Sequence, residues 1–349
     1  MFDVITFGSA TLDIFLKDFP YQISSSNKFP TKRGLCFSLG SKISVGEMIS
    51  TSGGGAVNTA ITFARQGLKT GAVFSIGRDK TSQQILEQLK EEKIDCSLAT
   101  IKKDFKTPTS VIISLKSGER TILHIKRRHA LDPLVVKKIY QTKWIYLAPF
   151  IGEGTELKDK NFLLSLLKQA KKNKIFLASN PSLFDLKLYK KHPSLLNYFD
   201  VFILNQEEAS LLTGIPYQKT KDIFRKLDEL VEGIVVMTRG NKGVIVSNGY
   251  WLWRAGTFKE KEAVDRTGAG DGFGAAFVAG LIKTQKKDPR CLARKKLCPP
   301  DLIKESIRLA SANATSIVEH LGANTGALKL RDFLKEKRWQ KLDIKVKKL

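Results

Sequence analysis

The feature that most constrains the fold is a rhythm. Short runs rich in β-branched residues recur along the chain, and amphipathic stretches with helical spacing separate them. The pattern predicts strands over Val4–Phe7, Ala72–Ile76, Trp144–Leu147, Ile175–Leu177, Val201–Leu204, Ile234–Met237 and Val244–Val246. It predicts helices over Ala56–Gln66, Ser82–Glu92, Asn161–Lys172, Thr220–Glu232, Gly272–Lys283 and Leu302–Glu319. Strand and helix alternating over most of the length imply an α/β fold, with a mostly parallel sheet and helices on both of its faces. No repeat or low-complexity segment interrupts it.

Two regions depart from the rhythm. Residues 16–52 carry Ser, Gly, Lys and short alternating runs such as Ile43-Ser44-Val45, and residues 109–126 read as two strands around Lys116-Ser117-Gly118-Glu119. Neither holds a convincing helix. Together they are expected to form a small antiparallel sheet standing off the main one, an element of the kind that serves as a lid. This divides the chain into a main α/β domain (1–15, 53–108 and 127–330), a β lid (16–52 and 109–126) and a basic C-terminal tail (331–349). The stretch 284–300, with Asp288-Pro289 and Pro299-Pro300, reads as a loop between two C-terminal helices.

Composition narrows the function classes. With 349 residues and a 42% hydrophobic fraction the chain can build a large core, and no apolar run is long enough for a membrane span. The opening Met1-Phe2-Asp3-Val4-Ile5 lacks a basic n-region, so no signal peptide is expected and the cytoplasm is the expected location. The four cysteines form no CxxC pair, and Cys291 and Cys298 read as ordinary thiols rather than a zinc clip. The four histidines are scattered, which argues against a His-based triad or a metal cluster. The net charge of +25 is spread along the chain without interleaved aromatics, so it reads as a solvated lysine-rich surface. A nucleic-acid partner is not expected, although such a surface attracts anionic small molecules.

Two motifs carry chemistry. In Val264-Asp265-Arg266-Thr267-Gly268-Ala269-Gly270-Asp271-Gly272-Phe273-Gly274 a strand-like edge gives way to a helix of small residues. Backbone N–H groups at a helix start lack partners and point outward, which makes an anion cradle. Asp271 inside that cradle has two readings, a helix cap or a catalytic carboxylate. Phe273 stands where a dinucleotide fingerprint needs glycine, and no Gly-x-x-x-x-Gly-Lys-[Ser/Thr] loop occurs. The second motif, Ser52-Gly53-Gly54-Gly55-Ala56-Val57-Asn58-Thr59, leads into a helix with Asn58 in its first turn. It allows close backbone approach to a ligand, or is a flexible loop with a helix-start Asn.

Taken together, these two motifs resemble the signatures of the ribokinase-like carbohydrate kinase family, also called the PfkB family. The Gly-Gly-x-x-x-Asn element and the later Asp-x-Thr-Gly-Ala-Gly-Asp-x-Phe element stand in family order, and the resemblance runs from Val4 to about Ala327. Other stretches agree. Phe7-Gly8-Ser9-Ala10-Thr11-Leu12-Asp13 looks like the family's first strand, closed by a substrate-binding Asp13. Leu204-Asn205-Gln206-Glu207-Glu208 looks like its Asn-x-x-Glu element, Thr238-Arg239-Gly240 like its nucleotide-binding turn, and Gly322-Ala323 like its adenine-side loop. Asn180-Pro181 falls where the family often places an Asp or Asn near the phosphates. Arg266, the long basic 284–300 loop and the tail depart from the pattern.

The resemblance implies a ribokinase-like three-layer α/β/α fold and an ATP-dependent phosphotransferase acting on a hydroxyl of a sugar or sugar derivative. Asp271 would be the base, with Gly268, Ala269 and Gly270 as the anion hole. Asp13, Gly53, Gly54 and Asn58 would hold the acceptor. Asn205, Thr238, Gly240 and Gly322 would hold ATP, and Glu208 would organise Mg²⁺. A nucleoside acceptor on the same fold is the main alternative, and a non-catalytic nucleic-acid-associated protein a more distant one. A lid sheet of this kind could also pair across a homodimer.

Overall fold

The computed structural model describes residues 1–29, 32–115, 119–124, 138–149, 158–287 and 299–349. Among the described residues, nine strands form the central sheet. Their spatial order is Ile344–Lys348, Trp251–Ala255, Val244–Ser247, Ile234–Thr238, Val201–Asn205, Phe176–Ser179, Thr142–Leu147, Phe2–Phe7 and Thr70–Val73. The six from Ile234–Thr238 to Thr70–Val73 run parallel, and the other three add antiparallel strands at one edge.

Both faces of this sheet are covered, so its strands are near-continuous apolar runs. The strand period of two sends neighbours to opposite layers. Val4, Trp144, Tyr146 and Val236 pack with Phe277, Ile303 and Ile307 from the helices Ala269–Lys287 and Pro300–Val318. Ile5, Ile145, Leu147 and Val235 pack with Leu163, Leu167, Ile223 and Leu227 from the helices Lys158–Lys172 and Thr220–Leu230. The result is the expected three-layer arrangement. The helix Ala269–Lys287 fits because it is built of small residues: a Cβ on Gly280 would come within 2.7 Å of the Ser306 backbone.

A second sheet of four strands has the order Arg120–His124, Thr109–Ser114, Thr11–Lys17 and Glu47–Gly53. Three of the sequence boundaries need correction. The strand Thr11–Lys17 pairs with Glu47–Gly53 and Thr109–Ser114, so residues 11–15 belong to the small sheet and not to the main domain. Part of 16–52 forms a separate hairpin, Gln22–Ser25 with Arg33–Cys36. The C-terminal segment is no appendage. Ile344–Lys348 is the edge strand of the central sheet, and Trp339 is buried in the core under the Phe258 ring.

The expected loop at 284–300 is shorter than read, since one helix continues to Lys287 and the next begins at Pro300. Residues 288–298, with Cys291 and Cys298, lie outside the described residues, as do 116–118 and 125–126 of the expected lid. No described helix is long and apolar enough to cross a membrane.

Candidate active site

The site forms where the parallel strands end at their carboxyl edges, the place where open α/β sheets bind ligands. Asn205 and Thr238 are the last residues of their strands, and Pro149 and Asn180 follow theirs closely. Two cavities open there. One of about 220 Å³ is lined by Asn180, Asn205, Glu208, Thr238, Gly268, Gly270 and Asp271. The other, about 260 Å³, includes Thr238, Gly240, Arg266, Gly270, Phe273 and Thr315 in its lining. They share Thr238 and Gly270, so together they outline a bipartite cleft with a polar lobe and a larger, more apolar one.

The helix Ala269–Lys287 points its N-terminus at this cleft. Its first N–H groups have no carbonyl four residues earlier to bond, and the Gly272 N–H closes the first turn on Gly268 O. Gly268 sits at φ 75°, and a Cβ there would collide with the Ala323 carbonyl oxygen. Gly270 differs: it lines both cavities, and a Cβ on it would meet only open space. The residues before this turn are held by buried Asp265, whose Oδ1 accepts from Thr267 N (2.9 Å) and Thr267 Oγ1 (2.6 Å). Arg120 of the small sheet donates to the same oxygen at 3.1 Å, and the Gly322 N–H donates to Oδ2 at 3.2 Å.

Asp271 lies in the first helical turn. Its Oδ2 accepts from Asn58 Nδ2 at 2.9 Å. Burial pushes its carboxyl up to about 6; the Asn58 hydrogen bond opposes the rise and the Asp13 charge adds to it. Asn205 and Glu208 form a reciprocal capping box, Glu208 N to Asn205 Oδ1 at 2.9 Å and Asn205 N to Glu208 Oε2 at 2.7 Å. Burial pushes Glu208 up to about 7, the Asn205 N–H opposing and the charges of Asp271, Glu207 and Asp185 adding. A pocket that raises two carboxyls in this way is one that a cation would relieve.

On the opposite side Asp13 and Gly53 meet. A Cβ on Gly53 would collide with Asp13 Oδ2, so glycine lets the strand Glu47–Gly53 lie against that carboxylate. Asp13 is buried, which raises its carboxyl, while Ser110 and Thr11 hydroxyls oppose the rise. Gly54, at φ 91°, turns the chain into the helix Gly55–Arg65.

The structure thus gathers Asp271, Gly268, Ala269, Gly270, Asn58, Asn205, Glu208, Thr238 and Gly240 about the cleft, with Asp13, Gly53 and Gly54 beside Asn58. Two expectations change. Asp13 does not close the first strand, which ends at Phe7; it lies on the next strand, in the small sheet. Gly322 lines neither cavity and instead donates to Asp265 behind the glycine turn. Arg266, left open by the sequence, lines the larger lobe. Sequence reading missed Asn324, which donates to Asn58 Oδ1 at 2.9 Å from 266 residues away, a separation at which no local pattern could reveal it.

An anion cradle, a carboxylate at its first turn and a bipartite cleft at the strand ends are the parts that a small-molecule phosphotransferase of the α/β class needs. The chain belongs to the PfkB family of carbohydrate kinases: the family profile described as "pfkB family carbohydrate kinase" matches residues 31–330. It is 26% identical over 245 residues to an ATP-dependent 6-phosphofructokinase of Thermoanaerobacterium thermosaccharolyticum, covering 66% of this chain and 72% of that one. It is 25% identical over 242 residues to a cytidine kinase of Thermococcus kodakarensis, covering 68% and 83%. In fold it matches the Arabidopsis thaliana ribokinase solved with ribose and ATP, with a TM-score of 0.72 at 19% identity over 97% of this chain and 99% of that one.

Proposed function

We propose that the chain transfers the γ-phosphoryl group of ATP to a hydroxyl of a sugar or sugar derivative, with Asp271 as general base. One observation carries this reading: Asp271 lies in the first turn of the helix whose N–H groups face the 220 Å³ lobe, and its carboxylate is held by Asn58 from the side where Asp13 and Gly53 meet. The base therefore stands between an anion cradle and a polar acceptor side.

In the reaction the acceptor oxygen attacks the γ-phosphorus as the bond to the β–γ bridging oxygen breaks, and ADP leaves with that electron pair. Phosphoryl transfer asks for positioning and charge neutralisation. Asp271 takes the acceptor's proton. The N–H groups of Gly268, Ala269 and Gly270 stabilise charge on the transferred group. Thr238 and Gly240 border the larger lobe, which suits the nucleoside end of ATP, while Asn205 faces the phosphates. Asp13 and Asn58 bind acceptor hydroxyls. The small sheet, tied to the glycine turn through Arg120 and Asp265, acts as a lid that excludes water as a competing acceptor.

The donor set suits Mg²⁺. Among the described residues no three carboxylate, His or Cys side chains converge on a metal site of their own, and Mg²⁺ characteristically completes its shell with water and substrate phosphates. Glu208, beside Asp271 in the polar lobe, would hold it through water. When bound, the ion neutralises charge on the β- and γ-phosphates.

The polar character of Asp13, Asn58 and Ser110 suits acceptor hydroxyls, which a free sugar and the ribose of a nucleoside both offer. Of the apolar lid residues, the Phe29 ring packs over Gly34 and Ile113 is buried, while Phe37, tilted against Phe19, stays 42% exposed. The test is an ADP-release screen with Mg-ATP over pentoses, hexoses, hexose phosphates, sugar acids and nucleosides, with Asp271→Asn in parallel. Turnover confined to nucleosides would replace the acceptor class. An Asp271→Asn protein that turns over at near wild-type rate would sink the assignment of the base.

A further inference from the structure

Asn58 meets Asp271 with its amide nitrogen, and the reason lies three residues away along a chain of side-chain amides. An amide can present either its oxygen or its NH₂, and the partners decide which. Here the partners at the far end are peptide groups, which cannot rotate to suit. The Ser52 N–H is a donor, so the Gln88 atom facing it at 3.2 Å is Oε1. Gln88 therefore turns Nε2 towards Asn324 and meets Oδ1 at 3.3 Å. Asn324 is then left with Nδ2 on its other side, where it donates to Ser52 O at 2.7 Å and to Asn58 Oδ1 at 2.9 Å. The Ser52 carbonyl is an obligate acceptor and requires the same orientation independently. With Oδ1 used in this way, Asn58 has only Nδ2 to offer Asp271 Oδ2.

Burial gives the chain its rigidity. Asn324 is 0% exposed and Asn58 4%, so a reversed amide would face like against like with no water to intervene. The elements involved are distant in sequence: Ser52 lies on the strand Glu47–Gly53 of the small sheet, Gln88 on the helix Lys80–Glu91, and Asn324 follows the last long helix.

We propose that Gln88 and Asn324 are positioning residues for phosphoryl transfer: anchored on the Ser52 peptide, they fix Asn58 as a permanent donor to Asp271 Oδ2, so that Oδ1 is the oxygen that takes the acceptor's proton. This rests on Asp271 as the base. The donor favours the ionised carboxylate and keeps a proton off Oδ2. It also aims the carboxylate, because one oxygen is held and the other is left for the acceptor.

The test uses Asn324→Leu, which leaves Asn58 able to turn its oxygen to Asp271, and Gln88→Leu, a half-buried position where loss of the fold is less of a risk. The first readout is the acid limb of kcat/KM. The expected result is a displacement to higher pH by roughly one pH unit in Asn324→Leu, with turnover near neutrality about twofold lower and Mg-ATP affinity kept, and a smaller displacement in the same direction in Gln88→Leu. A merely structural role lowers the melting temperature and leaves the limb in place; that outcome in folded variants overturns the proposal. The second readout needs no turnover. The ¹³C carboxyl signal of Asp271, identified by its loss in Asp271→Asn, should titrate at higher pH in both variants than in wild type. Equal midpoints overturn the relay even if no acceptor is found. Full activity of Asp271→Asn would instead remove the catalytic reading and leave the amide polarity standing.

Discussion

Asn58 donates to Asp271 at 2.9 Å across 213 residues of chain. The bond joins the two motifs that the sequence singles out, one in the N-terminal half and one near the C-terminus. It gives the carboxylate a second occupation besides any capping of its own helix. It also opposes the burial that would otherwise keep Asp271 protonated to still higher pH.

The pH dependence of turnover follows from that balance. Asp271 accepts a proton only when ionised, and its carboxyl sits at about 6. In wild type, kcat/KM should therefore be level above this value and fall about tenfold per pH unit below it, as for a single essential base in the free enzyme. A steady-state profile between about pH 5 and pH 8 measures it. A limb that lies instead at the ordinary carboxylate value would point to a different group.

The same carboxylate should weaken the fold at neutral pH. Its folded value, about 6, lies above its ordinary value of 3.8. The folded state thus binds the proton more tightly, and this contribution to stability is fully present below about 3.8 and lost as pH rises through about 6. The ionised group costs on the order of 1–3 kcal/mol at neutral pH. Asp271→Asn keeps an acceptor for Asn58 and removes the charge. It should melt at higher temperature than wild type at pH ~7 and converge with it near pH ~4. Equal melting temperatures at both ends of that range would contradict the expectation.

Two glycines in one turn should respond differently to alanine. Gly268→Ala forces a side chain into φ 75° and against the Ala323 carbonyl, a strain of about 1–3 kcal/mol that should appear as lost thermal stability. Gly270→Ala meets no protein atom, but Gly270 lines both lobes of the cleft. It should leave stability near wild type and weaken Mg-ATP binding about tenfold or more, since displaced phosphates lose charge-assisted hydrogen bonds. Calorimetric titration and thermal melts on the pair separate the two effects; matched behaviour would mean that Gly270 does not face the phosphates.

The C-terminal segment should prove structural. Trp339 is 1% exposed, meets Phe258 edge-on at 5.1 Å and carries the Arg338 guanidinium 3.9 Å from its ring centre. Trp339→Ala should cost about 3–5 kcal/mol, the range for deleting a buried aromatic. Urea denaturation reads this directly, and a loss under about 1 kcal/mol would return the segment to the status of a surface tail.

The legibility of this chain varies with the range of the signal. Val4–Phe7, Val201–Leu204 and Ile234–Met237 are recognisable because a strand buried on both faces must be apolar throughout, and their observed bounds differ by two residues or fewer. Gly268 and Asp271 are legible because a turn and a cradle are built from adjacent residues. Where one sheet ends and another begins is different. Thr11–Lys17 looks like a continuation of the first strand, and only its pairing with Glu47–Gly53 shows that Asp13 belongs to the small sheet. The lysine-rich end misleads in the opposite direction. Ile344–Lys348 puts its lysines outward at an edge, and composition hides the partner strand that orders it.

The sequence by itself determined the layered α/β architecture, the glycine turns and the place of Asp271 at the start of a helix. These depend on periodicity and on residues in contact along the chain, which local sterics and hydrogen bonding dictate. Tertiary structure alone decided which oxygen of Asp271 is occupied, which sheet carries Asp13, and that Gln88 and Asn324 have any bearing on the site. Those facts depend on peptide and amide groups from distant segments meeting away from water. There the cost of an unsatisfied donor or acceptor fixes an orientation that no stretch of the chain contains on its own.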